Sequence, residues 1–228
     1  GRDGRPWTAV NMVSTIDGKT TLDLNRVREP IGSVLDRTLM KRVRVHFDAV
    51  IRGAGTVRTD SFYPGVPAEL EHRRIALGLA RQPLAVVVPG TGNLPLEAPF
   101  FQKAPRRPLV VTAATVPRER LSAIEAVADV AVLDASPLDL KAVWRLLFEA
   151  YGVRRLLSEG GPSLNHGCLK EGLLDEIFWT VAPRIAGSSH DLTMVSGPAL
   201  LQPMPRLELV SAYCHENELF LRWRLVQP

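Results

Sequence analysis

Cysteine is scarce in this chain: Cys168 and Cys214 lie far apart and lack metal-ligand spacing. Their simplest reading is as free thiols in a reducing compartment, which makes the cytoplasm the expected location. The histidines, at positions 46, 72, 166, 190 and 215, are dispersed, and neither H-E-x-x-H nor C-x-x-C occurs, so no metal site is expected. G-x-S-x-G is also missing, which removes the main signature of an activated serine nucleophile. Aromatic residues make up only 6% of the chain, so stacking platforms for nucleic acid are few. The net charge of +4 comes from scattered arginines and suits an anionic small molecule rather than nucleic acid. No apolar run approaches the ~20 residues that span a bilayer, and no charged-then-apolar signal opens the chain, so no membrane partner is expected.

What is present is an ordinary globular composition, 46% hydrophobic and 23% charged, at a length that can bury a full core. Strands are predicted at 7–13, 48–51, 84–88, 109–111, 130–133, 153–157 and 175–181. Helices are predicted from Ser33 as cap through Leu35, Leu39, Val43 and Phe47, at 118–127, at 138–151 and from 164 to 170. Residues 58–70, 93–107 and 183–205 read as loops, as do 25–29. Two last strands, 207–213 and 219–226, read as an antiparallel hairpin. Alternating strands and helices followed by a hairpin predict an α/β fold: a mostly parallel central sheet flanked by helices, with a C-terminal antiparallel hairpin. With no repeat and no clear linker, residues 1–228 are expected to form a single domain.

The most informative stretch is Ser158-Glu159-Gly160-Gly161-Pro162-Ser163-Leu164-Asn165. It joins a strand to a helix, with Ser163 the expected N-cap. Glycines there allow a tight turn and close approach of a ligand, and the helix start presents unpaired N–H groups to it; phosphate is the natural guest. Glu159 is an anion beside an anion site, so it is read as facing a substrate amine or imine. Gly53-Ala54-Gly55-Thr56 is a second strand-to-helix glycine turn, in which Thr56 either caps the helix or donates to a phosphate. In a parallel sheet both turns fall at the carboxyl ends of the strands, where ligands bind. A chain without a strong nucleophile or a metal site must borrow its chemistry, and two phosphate-friendly turns suggest a nucleotide cofactor.

Val13-Ser14-Thr15-Ile16-Asp17-Gly18-Lys19, Arg44, the run from Asp48 to Val57, the Ser158–Asn165 stretch and Leu173-Leu174-Asp175-Glu176 follow one another in an order that resembles the pyrimidine reductases of riboflavin biosynthesis. The likeness spans nearly the whole chain and lacks the family's companion deaminase domain, so a stand-alone reductase is expected. The resemblance implies a dihydrofolate reductase-like fold, NADPH as cofactor, a homodimer and a ribosylaminopyrimidine phosphate, 5-amino-6-(5-phosphoribosylamino)uracil, as substrate. It places Val13, Gly53, Thr56, Asp60, Gly160, Gly161, Pro162, Ser163 and Leu164 at the cofactor, within a segment reaching Gly167. Asn11, Arg44 and Glu159 fall at the substrate, with Glu159 as the catalytic residue.

Departures from the family pattern lie in the substrate half. After Thr56 only Asp60 of an Asp-Asp-Pro run is kept, and the family's following arginine is replaced by the region of Pro64 and Pro67; Arg28 and Arg58 are candidates to stand in for it. The turn at Pro89-Gly90-Thr91, expected to meet the adenosine 2′-phosphate, carries no Arg or Lys. Two other functions compete: reduction of a dihydropterin or dihydrofolate with Glu159 as acid, and nucleotide binding without catalysis. For Arg44 the competing role is an ion pair with Glu159 or Asp48. The terminal hairpin, with Phe220 and Trp223, is the candidate dimer face.

Overall fold

The computed structural model describes residues 4–20, 30–60, 62–89, 93–187, 193–200 and 204–226. The 25–29 loop, Arg28 and the turn at Gly90-Thr91-Gly92 lie outside them.

Among the described residues nine strands form one sheet: β1 (Trp7–Thr15), β2 (Ala49–Gly53), β3 (Leu84–Val88), β4 (Leu109–Ala113), β5 (Asp129–Leu133), β6 (Arg155–Ser158), β7 (Glu176–Ala182), β8 (Arg206–His215) and β9 (Glu218–Val226). Their order is β5-β4-β3-β2-β6-β1-β7-β9-β8. All pairings through β7 are parallel, and β9 joins β7 and β8 in antiparallel register. The expected mostly parallel sheet with an antiparallel hairpin is what the chain builds. β3 is an unbroken apolar run, and β4 is broken only by Thr112, because both faces of the sheet are covered there. Glu216 and Asn217, at φ 47° and 68°, form the two-residue turn between β8 and β9, a mirror-image turn whose twist matches a hairpin.

Among the described residues seven helices pack on the sheet: α1 (Val34–Arg44), α2 (Ala54–Thr59), α3 (Ala68–Ala76), α4 (Pro99–Gln102), α5 (Arg118–Glu125), α6 (Leu140–Glu149) and α7 (Pro162–Lys170). α4 and the start of α3 fall where loops were expected, and α2 begins within the glycine turn, ahead of Thr56. They are short, and α3 has four charged residues among nine, so their apolar periodicity is thin; packing rather than propensity holds them. On one face, Val143, Trp144 and Leu147 of α6 and Leu164 and Cys168 of α7 join Val10, Ile51, Val86 and Val111 in the main core. Trp144 also donates its indole N–H to the Thr8 hydroxyl at 2.8 Å, so its polar atom is satisfied in the interior. Burial pushes the Cys168 thiol up to about 12, which leaves it an inert core residue. On the opposite face Ala9, Val50 and Leu157 pack with Phe47, while Val57, Val87, Val110, Phe100 and Ile124 form a third cluster.

Helix α1 departs from the usual rule that the apolar stripe faces the core. Ser33 caps it as expected, its hydroxyl accepting from the Asp36 N–H. Yet Val34, Leu35 and Leu39 are 71%, 40% and 39% exposed, and buried Arg44 and half-buried Asp36 and Met40 turn inward. Spacing of four residues puts Asp36, Met40 and Arg44 on one face. The inward face of this helix is thus polar, and a sheet that accepts a polar helix face has something polar to offer in return.

The C-terminal end of α1 is held by Arg74 of α3, whose side chain is fully buried. Its guanidinium donates to the carbonyls of Arg44 (2.8 Å), Val45 (3.2 Å), Phe47 (2.7 Å) and Ala80 (2.8 Å). Burial lowers its pKa to about 10, so it stays cationic at neutral pH. Arg74→Met keeps the volume and strands these carbonyls. Stability measured by urea unfolding is expected to fall by roughly 3 kcal/mol or more, since each unpaired buried group costs about 1–3 kcal/mol.

Candidate active site

At the carboxyl ends of β2 and β6 the two glycine turns meet. Ile51 is the register partner of Ser158, and the pairing continues past the strand: the Glu159 N–H donates to the Ile51 carbonyl at 3.1 Å and the Gly53 N–H to the Gly160 carbonyl at 2.8 Å. Gly160 has φ +89°, a conformation that L side chains rarely adopt, and a Cβ there would come 3.3 Å from the Met12 sulfur. The Gly160–Gly161 peptide is cis. A Cβ on Gly161 would lie 3.2 Å from the Thr56 hydroxyl oxygen, and one on Gly53 would lie 3.4 Å from the Gly161 nitrogen. Gly53, Thr56, Gly160 and Gly161 therefore touch, which sets the starts of α2 and α7 side by side. The N-cap of α7 is Gly161, with Pro162 at its first position, and not Ser163 as expected. Proline needs no hydrogen bond for its nitrogen there and so begins the helix two residues early. Thr56 lies within α2 and not at its cap, which is Gly53.

Below this junction Glu159 is buried and gripped from two sides. Arg44 gives it Nε (2.5 Å) and Nη2 (2.8 Å), and Arg52 of β2 gives it Nη2 (2.7 Å) and Nε (3.2 Å). Arg52 also donates Nη1 to the carbonyls of Asp60 (3.3 Å) and Phe62 (3.1 Å) and pairs with the Asp60 carboxylate at 3.1 Å. Nη1 of Arg44 donates to the Gly65 carbonyl at 3.0 Å. Two arginines and two carboxylates balance in charge, and the guanidinium donors go to these partners. Burial alone would raise the Glu159 pKa; the charges of Arg44 and Arg52 and their hydrogen bonds outweigh it and hold the carboxyl at about 2. Glu159 is an anion at any physiological pH, so the acid role weighed for it with a dihydropterin has no proton to give. The ion pair that competed with a substrate role for Arg44 is the one formed, with Glu159 and not Asp48; the Asp48 carboxylate accepts the Arg154 and Arg155 N–H groups.

Asn11 and Val13 sit on the same sheet face as this cluster, in register with Phe178 and Thr180 of β7, and both are half-buried. Asp17 ties the turn after β1 to the segment after β7: it accepts from the Thr15 hydroxyl (2.6 Å) and from the Ala186 (3.1 Å) and Gly187 (2.8 Å) N–H groups. The Thr15 hydrogen bond, foremost among these, lowers its pKa to about 2. Behind α7, buried Asn165 donates to the Met194 carbonyl at 3.0 Å and so fastens the 193–198 segment against the helix start.

A polar-lined junction at the strand ends of this sheet can be compared with known proteins. The family model of the RibD C-terminal domain matches residues 6–221. The chain belongs to the RibD C-terminal domain family. A relative from Archaeoglobus fulgidus, named 2,5-diamino-6-ribosylamino-4(3H)-pyrimidinone 5′-phosphate reductase, is 33% identical over 87% of this chain and 90% of its own. A protein of the same name from Aquifex aeolicus is 28% identical over 97% of both chains. Among solved structures, a pyrimidine reductase-like protein of Corynebacterium diphtheriae superposes with a TM-score of 0.85 at 23% identity, covering 98% of this chain and 93% of the other. The RibD of Acinetobacter baumannii gives 0.79 at 23% identity, covering 98% of this chain and 59% of that one. The fold is that of RibD-type reductases, the dihydrofolate reductase-like class expected from the sequence.

Against this RibD-type frame the structure gathers the expected residues into two groups, Gly53, Thr56 and Gly160 to Leu164 at the junction, and Arg44, Glu159 and Asp60 in the ion cluster. Sequence reading missed Arg52. Its signal was a charge within the apolar strand Ala49–Gly53, a place where a buried arginine needs a partner. The cluster also makes an acid-sensitive prediction. Because the folded-state pKa of Glu159 lies below its ordinary 4.5, its stabilisation is complete above that value and is lost as pH falls toward about 2. That amounts to about 3 kcal/mol. Glu159→Gln leaves the arginines without their shared counter-charge and is expected to cost about 3–5 kcal/mol at pH 7. Urea midpoints at pH 7 and pH 3 should converge for the variant relative to the parent.

Proposed function

We propose that this protein is an NADPH-dependent reductase of riboflavin biosynthesis that acts on a ribosylaminopyrimidine 5′-phosphate. The observation that carries the reading is the contact of the two glycine turns. At this junction a side chain on Gly160 or Gly161 would crowd Met12 or Thr56 and one on Gly53 would reach Gly161, and the first turns of α2 and α7 bring unpaired N–H groups to one place. These residues fit a pyrophosphate, with Pro162, Ser163 and Leu164 continuing the cradle, Asp60 at its rim and Val13 toward the nicotinamide. When bound, NADPH supplies the hydride; this chain supplies position and electrostatics. Asn11 is suited to a polar contact with substrate. Arg44 and Glu159 shape the pocket wall and hold the 60–65 segment in place, so their effect on substrate passes through that wall.

The relatives that match over their full length are named for the 2,5-diamino-pyrimidinone, whereas the uracil form was expected from the sequence. The two share the sugar to be reduced and differ at ring position 2. NADPH oxidation assayed with each, and with dihydrofolate, identifies the substrate; turnover of dihydrofolate alone would overturn the reading. Gly161→Asp puts a side chain and a like charge against the phosphate. It is expected to weaken NADPH binding at least tenfold by fluorescence titration, the loss of one charge-assisted hydrogen bond being worth about that much. Unchanged affinity would mean the cradle lies elsewhere.

A homodimer accompanies this reading. Phe220 is buried and Trp223 packs into the core, so they are not the exposed residues of the hairpin; Leu207, Leu209, Tyr213 and Leu219 are. The start of α1, with Val34 and Leu35, is tied to the hairpin by the Ser33 hydroxyl's hydrogen bond to Glu218. These neighbouring apolar groups together suit a second copy of the chain. Sedimentation is expected to show a species of twice the 25.1 kDa chain mass at micromolar concentration, and a single 25.1 kDa species would refute the dimer.

A further inference from the structure

Arg58 is a candidate, on sequence, to stand in for the family arginine missing near Pro64 and Pro67, and the structure turns it elsewhere. It lies in the last turn of α2, and its side chain folds back over the helix. Nη2 stands 3.8 Å from the place of a Cβ on Gly55, in the first turn. Helical side chains lean toward the N-terminus, so a residue three places on covers Gly55. Nη1 donates to the Asn93 carbonyl at 3.0 Å. The guanidinium thus joins the front of α2 to the segment that follows β3.

This guanidinium is placed to take an anion. It has five N–H donors, and among the described residues its one acceptor is the Asn93 carbonyl. No carboxylate of the described residues pairs with it: Asp60, two residues on, is held by Arg52 at 3.1 Å. Arg58, Gly55 and Asn93 are all exposed, so the remaining donors are open to a ligand.

Its position in the sheet names the ligand. Gly53 of β2 and Val88 of β3 are register partners, so the start of α2 and the end of β3 are neighbours, as far apart as adjacent strands, about 4.8 Å. In the order β3-β2-β6-β1 the glycine junction of β2 and β6 has β1, with Val13, on one side and β3 on the other. A dinucleotide whose pyrophosphate takes the junction and whose nicotinamide takes the Val13 side has its adenosine on the β3 side.

We propose that Arg58 selects NADPH over NADH, its guanidinium taking the adenosine 2′-phosphate that NADH lacks. A planar fork matches a phosphate through two parallel N–H···O bonds, whereas a ribose hydroxyl offers it no charge. The inference rests on the cofactor reading above. It assigns the 2′-phosphate, for which the turn at Pro89-Gly90-Thr91 offers no Arg or Lys, to a side chain of α2.

Binding followed by the fluorescence of NADPH and of NADH tests this apart from turnover. The parent is expected to bind NADPH at least tenfold more tightly than NADH, and added salt should narrow that ratio, because an exposed charge pair is screened. Arg58→Ala keeps a good helix former at an exposed position, so α2 should persist. It is expected to weaken NADPH about tenfold or more, the worth of a charge-assisted hydrogen bond, and to leave NADH within about twofold. Arg58→Lys, which keeps the charge and loses the fork, should fall between the two. Adenosine 2′,5′-bisphosphate titrated by calorimetry should lose affinity in Arg58→Ala as NADPH does. An equal loss for both dinucleotides would make Arg58 a prop for the Asn93 segment and overturn the proposal. A preference for NADPH that survives Arg58→Ala, or a parent without that preference, would overturn it as well. A parent that binds neither dinucleotide would instead overturn the cofactor reading, and the role of Arg58 with it.

Discussion

Glu159 between Arg44 and Arg52 is the constraint on which the site depends. The carboxylate follows the last residue of β6, one guanidinium ends α1, and the other projects from β2, so a single anion joins three elements that are distant in sequence. Removing any one member would leave a buried charge uncompensated, which costs far more than a surface pair returns. The arginines also fix the 60–65 segment through the carbonyls of Asp60, Phe62 and Gly65. In a stretch with Pro64, Gly65 and Pro67 and no strand to hold it, those hydrogen bonds supply the order that secondary structure does not. The family arginine missing from this stretch is therefore not replaced within it; the two arginines reach it from α1 and β2.

The polarity of α1 follows from the same cluster. A helix that brings Arg44 to Glu159 must also bring Asp36 and Met40 to the sheet, because residues four apart share a face. Its leucines are then forced outward, next to a hairpin that leaves Leu207, Leu209, Tyr213 and Leu219 in water. One local ion cluster thus has two distant consequences: a polar inward stripe on α1, and an apolar stripe left on its outside beside the hairpin.

The glycine junction acts at a shorter range. Gly160 takes a positive φ, a Cβ on Gly53 would meet Gly161, and one on Gly161 would meet Thr56. The starts of α2 and α7 can meet only because no side chain stands between them. Asn165 and the 193–198 segment brace α7 from behind, so the junction is supported from the side away from any ligand.

Much of this was legible in the residues. The parallel strands announced themselves as short apolar runs closed by glycine, the hairpin as two alternating segments, and the cofactor half of the site as two strand-to-helix glycine turns, because those features depend on neighbours in the chain. Ser33 was readable as a cap for the same reason. The short helices α3 and α4 were not, since Ala68–Ala76 carries as much charge as apolar pattern and is held by Arg74 reaching the end of α1. Nor could periodicity tell which stripe of α1 faces inward. That was decided by the partners that tertiary structure supplies at each end, Glu159 for Arg44 and Glu218 for Ser33. The state of the two carboxyls was decided the same way: residue type makes Glu159 and Asp36 near equals in water, and only the folded arrangement puts two arginines on one and raises the pKa of the other, by burial first and then by the Glu218 charge.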